Sequence, residues 1–532
     1  MPPRREKDTR TQSPTEYLES LVPSEEAVTI AELSGSLVQV TENDDPRLFD
    51  YVQAEGVLYP ILKFPYAFSD PSDVQFPIAR LAKAPPPSAL EDQLDTLLNS
   101  VLTWWEDRKE PIARYSEKTH QVVEWVLNRV ASMQQPSRKL QYYTRLQADL
   151  ATRPIRTLAW HASRQVIAVA HKQNSVHIYD IVSEKWFPSL PSGLRHEFQT
   201  DITALEWSPQ TGTLLAVASR HGITLWRLIF DPTPNTSTTP ATFLHASTPT
   251  FAWLTFLRYP GFDNLTCLAW SPDGQYIVAG SATSSAVVVW DVAMEEATVV
   301  GGANGGTTGV WWSPNGEYLV QACTNMMRIW ETRTWKDEVV NTNGRRPHSV
   351  IWHPDSRLYF FALARGRKIF SQQINSPPPS LDIKAVEETK MPLFETSTGF
   401  RVGGYIKQMA ADPTCKRLAV TFEGTHNGAE LVALFRVGRG PLPVLDIIGF
   451  IRGPQWHPDA PRPLPPRSPF ANESQMDTDD DQQQQQQEDN EEGDGAPPLP
   501  TTIVFAPMFK RGALLTCVWE DGSVGFTPLY FR

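Results

Sequence analysis

From residue 154 onward, apolar residues gather in short runs separated by polar turns, and the runs return as a triplet. The cleanest copy reads Leu268-Ala-Trp270-Ser-Pro-Asp-Gly274, then Tyr276-Ile-Val-Ala-Gly280, then Val287-Val-Val-Trp290-Asp291. Runs of this length bounded by Ser-Pro-Asp-Gly read as strands, because proline presets φ in the turn and glycine supplies φ > 0. Earlier copies are Leu158-Ala-Trp160 with Val166–Ala170 and Val176–Tyr179, then Leu205-Glu-Trp207 with Leu214–Ala218 and Ile223–Trp226. Later ones carry Val310-Trp-Trp312 with Met327–Trp330, then Val350-Ile-Trp352 with Lys368-Ile-Phe370. A sixth, weaker copy keeps Asp412-Pro413, Leu418–Phe422 and Leu431–Phe435, and a seventh keeps Ile503–Pro507, Ala513–Trp519 and Val524–Phe526.

Trp160, Trp207, Trp270, Trp312 and Trp352 follow one another at 47, 63, 42 and 40 residues. These spacings bracket the roughly 40–45-residue period of WD40 repeats. Seven copies predict an all-β fold over 151–532, a seven-bladed WD40-type β-propeller of four-stranded blades. Insertions at 231–250, 374–400 and 437–500 explain the long gaps. Trp226, Trp290 and Trp330 close third strands, so eight of the 17 tryptophans occupy two repeat slots. Wide, flat indoles suit the layer where one blade packs on the next. The Asp expected between second and third strands is mostly replaced, with Asn174, His221, Asn325 and Gly366 near that place.

Ahead of the repeat the period changes. Residues 1–87 form an extension of short apolar pieces and prolines, with strand signals at Val38, Val40 and Val57-Leu58-Tyr59 and a stiff Ala84-Pro85-Pro86-Pro87 spacer. Residues 88–150 read as helical. Leu90, Leu94, Leu97, Leu98, Val101, Leu102 and Trp105 share one face, opened by a Ser88/Glu91 capping box. Val122, Val123, Val126 and Val130 form a second stretch that Pro136 stops, and a third runs from Ser137 to Leu150. Such faces are expected to pack on the propeller. An early segment, 36–42 or 55–63, is expected to close the ring by pairing with the last blade.

Composition sharpens this picture. Proline reaches 46 of 532 residues, against about 5% in average proteins, which argues for turns and irregular stretches. Residues 452–500 concentrate prolines, Gln482–Gln487 and, within 477–494, a run of nine acids, and read as a disordered insertion before the last blade. Trp456-His457-Pro458 imitates the repeat there, but no second strand follows it. Those acids carry most of the net charge of −12, so the remaining body is close to neutral and lacks the basic face that nucleic acid needs. Cys267, Cys323, Cys415 and Cys517 form no CxxC pair and suit a reducing compartment. No secretory signal or apolar run of about 18 residues stands out, so membrane association is expected to need a partner.

No catalytic, cofactor or metal site is expected. There is no HExxH or GxSxG, and Ser208, Ser271 and Ser313 lie in Trp-Ser-Pro turns. Gly301-Gly-Ala-Asn-Gly-Gly306 lacks the Lys-Ser/Thr ending of a phosphate loop and reads as an inter-blade loop. His161 and His353 stand beside strand-ending tryptophans and read as structural. Arg345, Arg346, Arg365, Arg367 and Lys368 make a local basic cluster in the fifth copy. Such a cluster is either solvated loop surface or a reader of acidic or phosphorylated peptides.

The stretch Phe509-Lys-Arg-Gly512-Ala-Leu-Leu-Thr-Cys-Val-Trp519-Glu-Asp-Gly522, followed by Pro528-Leu-Tyr-Phe531, resembles the closing segment of the Aladin family of WD-repeat nucleoporins. So does the pre-propeller stretch with Trp104-Trp105 and Val123-Glu-Trp-Val126. The likeness covers roughly 90–532, and the polyglutamine and acidic insertion departs from it. It implies a non-enzymatic scaffold of the nuclear pore complex, held at the nuclear envelope by a transmembrane nucleoporin beside other nucleoporins, and serving transport. The rival reading is a substrate-recognition propeller, either a ubiquitin-ligase receptor or a phosphopeptide reader using the fifth-copy arginines.

Overall fold

Five first strands end on the repeat tryptophan: Ile155–Trp160, Ala204–Trp207, Leu265–Trp270, Thr307–Trp312 and Pro347–Trp352. The computed structural model describes residues 135–532 except 183, 188–192, 230–249, 303–304, 376, 379, 384–386, 392–393, 396–400, 424–427, 439–444, 454–496 and 532. Ahead of these it describes 21–24, 27–40, 46–47, 51, 59 and 61–63. The helices expected before residue 135 and the bulk of the 452–500 insertion therefore lie outside the described residues.

The turns follow from their side chains. In blade 3, Ser271 Oγ donates to Asp273 and accepts the N–H of Tyr276 at 2.9 Å, while Gly274 takes φ of 69°. Blade 4 repeats this with Ser313 and Asn315, and Gly316 takes φ of 75°. Each of the first six blades is an antiparallel four-stranded sheet. The fourth strands are Lys185–Trp186, Thr250–Leu257, Glu296–Val300, Lys336–Val340, Glu387–Lys390 and Leu445–Arg452. Three of them correct the expected insertions. Leu445–Arg452 and Glu387–Lys390 are blade strands inside stretches read as insertions, and Thr250 already belongs to blade 2. Trp226 sits within its third strand, which runs on to Ile229.

First strands neighbour the first strands of adjacent blades all the way round, including blade 7 against blade 1, so they line the axis of a seven-bladed β-propeller. Seven apolar clusters fill the seven layers between successive blades. The core is thus distributed between sheets, one layer per junction.

Blade 7 supplies only three strands from the C-terminal sequence: Pro500–Phe505, Gly512–Trp519 and Ser523–Tyr530. The N-terminal region completes it. β1 (Val28–Leu33) pairs in parallel with the last strand through Glu32↔Leu529 and Leu33↔Tyr530. β2 (Ser36–Val40) pairs with β1, and β3 (Leu62–Lys63) pairs antiparallel with Ser523 and Val524. The closing strands are β1 and β3. The expected 36–42 segment forms the edge beyond β1 and does not pair with the last blade directly. α1 (Gln135–Thr152), with Pro136 in its first turn where a missing N–H is harmless, precedes blade 1 and packs on its first strand.

Candidate functional site

The repeat tryptophans occupy the inter-blade layers. Trp160, Trp207, Trp226, Trp270, Trp290 and Trp330 are buried, and Trp312 and Trp352 are partly so. The strand-ending indoles also reach across the junction. Trp270 Nε1 donates to Glu206 O at 3.2 Å, Trp312 Nε1 to Ala269 O at 3.3 Å, and Trp352 Nε1 to Trp311 O at 3.2 Å. Each acceptor is the carbonyl just before the equivalent tryptophan of the preceding blade, so one register repeats at three successive junctions, from blades 2 and 3 to blades 4 and 5. Trp160 Nε1 closes the circle on Thr516 Oγ1 of blade 7 at 3.0 Å.

The third-strand indoles find glutamines that sequence reasoning missed. Trp226 Nε1 donates to Gln199 Oε1 and Trp330 Nε1 to Gln321 Oε1, each at 3.0 Å. Gln321 Nε2 passes the connection on to Ser285 O and Thr307 Oγ1. Its signal was one polar residue inside the apolar run Tyr318–Cys323, whereas Gln199 lies in a loop and had none. Asn174 takes φ of 61° in its turn and accepts the N–H of Ile202 at 3.2 Å.

The basic cluster of blade 5 is largely engaged within the protein. Arg345 is buried and donates from Nη2 to Arg365 O. Arg346 stacks over Tyr142 of α1 at 5.1 Å, and Arg367 over Tyr405 at 5.2 Å. Lys368 pairs with Glu388 at 2.8 Å, while Arg365, on a turn with φ of 54°, and Arg367 both remain exposed.

The C-terminal Pro528–Phe531 motif belongs to the ring closure. Tyr530 O accepts the N–H of Ser34 at 2.9 Å, and the Arg417 guanidinium lies over the Phe531 ring at 4.2 Å. That guanidinium grips Glu32 of β1 with Nε at 2.9 and 3.1 Å and Nη2 at 2.6 Å, and both residues are buried. One cation thus joins blade 6, the N-terminal strand and the C-terminal motif.

The profile of the Aladin seven-bladed propeller family matches residues 141–463, more than half of the chain. The chain belongs to the Aladin propeller family. Aladin of Arabidopsis thaliana is 26% identical over 384 residues, covering 70% of this chain and 76% of that protein. The family match begins inside α1, whose side chains are part of the propeller. Tyr143 is buried, and burial first, then the Asp201 carboxylate of blade 2, raises its pKa. Gln147 accepts from Arg156 of blade 1 at 3.2 Å. With Tyr142 against Arg346 of blade 5, α1 touches opposite sides of the ring and so crosses its mouth. Among the described residues, no group of three His, Cys, Asp or Glu is placed to hold a metal ion.

Proposed function

We propose that this chain is a non-enzymatic scaffold nucleoporin of the nuclear pore complex, anchored at the nuclear envelope through a transmembrane nucleoporin and supporting nucleocytoplasmic transport. Membership of the Aladin propeller family carries the reading. The closed ring supports it, because a rigid propeller presents several surfaces at fixed angles to different partners. Among the described residues, no helix is long and apolar enough to cross a membrane, and an anchoring partner fits that observation. The rival reading through the blade-5 cluster is left with the exposed Arg365 and Arg367, since Arg345 is buried, Arg346 lies over Tyr142 and Lys368 pairs with Glu388. The test is imaging of the fluorescently tagged full chain in its own cells. A punctate nuclear rim that disperses when the pore's transmembrane nucleoporins are depleted is expected; a diffuse signal in untreated cells overturns the reading.

A further inference from the structure

Six of the seven outer sheet edges are protected in recognisable ways. Blade 1 ends in a two-residue strand, and blades 3, 4 and 5 carry charges on theirs, such as Glu296, Lys336 to Glu338, and Glu387 with Glu388. Blade 6 lies under β1 and β2, and the sheet of blade 7 ends on the five-residue β2, whose Leu37 packs near Ile448 and Ile451 of blade 6. Short, charged or covered edges are how sheets avoid unwanted pairing. Blade 2 differs. Its outer strand, Thr250–Leu257, reads Thr-Phe-Ala-Trp-Leu-Thr-Phe-Leu, with no charge in eight residues. Among the described residues no strand pairs with its outer side.

The same edge carries an exposed aromatic ladder. Trp253 is 48% exposed, Leu254 36% and Phe198 45%. His196 stacks on Trp253 at 4.8 Å and Phe198 on Phe256 at 4.9 Å. A bulge places Trp253 opposite Trp226 and Thr255 opposite Leu225, so Leu254 is the extra residue of the outer strand. Beside the strand stand Arg227, cross-strand from Ala252 and exposed, and Arg258 just after its end. The nearby Asp263 is held by His221 at 2.9 Å and lies 3.9 Å from Arg258.

We propose that this edge docks an extended, apolar segment of a partner polypeptide as a fifth strand of blade 2, anchored on Trp253 and Leu254, with an acidic residue of the segment meeting Arg227. Two other occupants fit less well. An edge of this length, about 26 Å long on a sheet ~10 Å thick, offers roughly 260 Å² per copy, far below the ~800 Å² per partner of a stable dimer. A lipid surface leaves the N–H and C=O groups of the edge without partners. An extended chain supplies those partners and places alternate side chains against the ladder.

The test is photo-crosslinking of the full chain in its own cells, with benzoylphenylalanine at Leu254 and, as control, at Val339 on the charged outer strand of blade 4. The Leu254 probe is expected to label one recurring apolar segment, with an acid at one end, on a different protein. A synthetic peptide of that segment is then expected to slow amide exchange across 250–257 of the purified full chain roughly tenfold. Trp253→Ser with Leu254→Lys should weaken its binding roughly 30-fold or more. Adducts confined to lipid, to a second copy or to this chain, labelling no greater than at Val339, or unchanged exchange would overturn the proposal. The nuclear-rim experiment is separate, since a variant that keeps the rim but loses this segment removes only the docking edge.

Discussion

At the scale of single residues, the tryptophans do two separable things. Burial of an indole removes about 150–250 Å² from water, which depends on size, while the cross-blade hydrogen bond depends on Nε1 alone. Trp312→Phe keeps most of the area and leaves Ala269 O without its donor, so unfolding in urea should show a loss of about 1–2 kcal/mol. Trp290→Ala, at a side chain only 1% exposed, should cost about 3–5 kcal/mol. Equal losses from the two would dismiss the division. Glu206 is a different case. Its carboxylate lies between blades 2 and 3 and accepts the N–H of Trp270 at 3.0 Å. Burial pushes its pKa up to about 8, with the Trp270 N–H pulling the other way. A raised carboxyl pKa means the native state keeps a proton that the unfolded chain loses above the ordinary carboxylate range. Its stabilising contribution is therefore complete at low pH and disappears as pH rises toward 8. Glu206→Gln mimics the protonated form, so its melting-temperature advantage should widen from pH 5 to pH 8. A difference that stays flat with pH would rule this out.

At the scale of elements, the ring depends on a clasp built from both ends of the sequence. Arg417 of blade 6 holds Glu32 of β1 in a buried, two-pronged pair and covers Phe531. Removing one partner leaves the other charge buried, so Glu32→Gln should cost about 3–5 kcal/mol, and Glu32→Leu with Arg417→Leu should recover much of it. Deleting residues 1–70 removes β1, β2 and β3 together and should lower the cooperativity of unfolding as well as its midpoint. An unchanged denaturation curve would show that the last strand holds without them. This clasp also marks where the sequence stops being legible. First, second and third strands were readable because their apolar runs end on tryptophan and their turns carry Ser-Pro-Asp-Gly chemistry. Fourth strands were not, since Lys336–Val340 and Glu387–Lys390 are short outer strands of largely charged and polar sequence without a long apolar run. β1 pairs with residues nearly 500 positions away, so local patterning could announce a strand but not its parallel partner. The blade-5 arginines looked available because Tyr142, which engages Arg346, lies in a weakly periodic helix about 200 residues earlier. The exposed blade-2 edge was hidden for a related reason, its strand starting inside a stretch that reads as insertion.

At the scale of the whole molecule, the buried histidines set how the propeller responds to acid. His161, His171, His177 and His348 are all held down to about 4, in each case chiefly by burial and then by neighbouring positive charge. His161 shows why a proton is unwelcome. Its Nδ1 accepts the N–H groups of Ser163 at 3.1 Å and Arg164 at 3.2 Å, so protonation would set donor against donor. His348 donates from Nε2 to Ile406 O at 3.0 Å, tying blade 5 to blade 6 as a neutral ring. The unfolded chain binds these protons near pH 6.5 and the native one only near 4. Their contribution is therefore complete above about pH 6.5 and is lost as pH falls toward 4. Glu206 acts in the opposite direction, but it is one group against four. Between pH 6.5 and 4.5, unfolding should take up as many as roughly three protons net, and the melting temperature should fall steeply. His161→Gln, which restores neither the charge nor the proton, should flatten that slope by about one proton while leaving the neutral-pH fold intact. A melting temperature that holds steady from pH 7 to pH 4.5 would mean that these rings are protonated in place, and that blades 1 and 5 are looser than their packing implies.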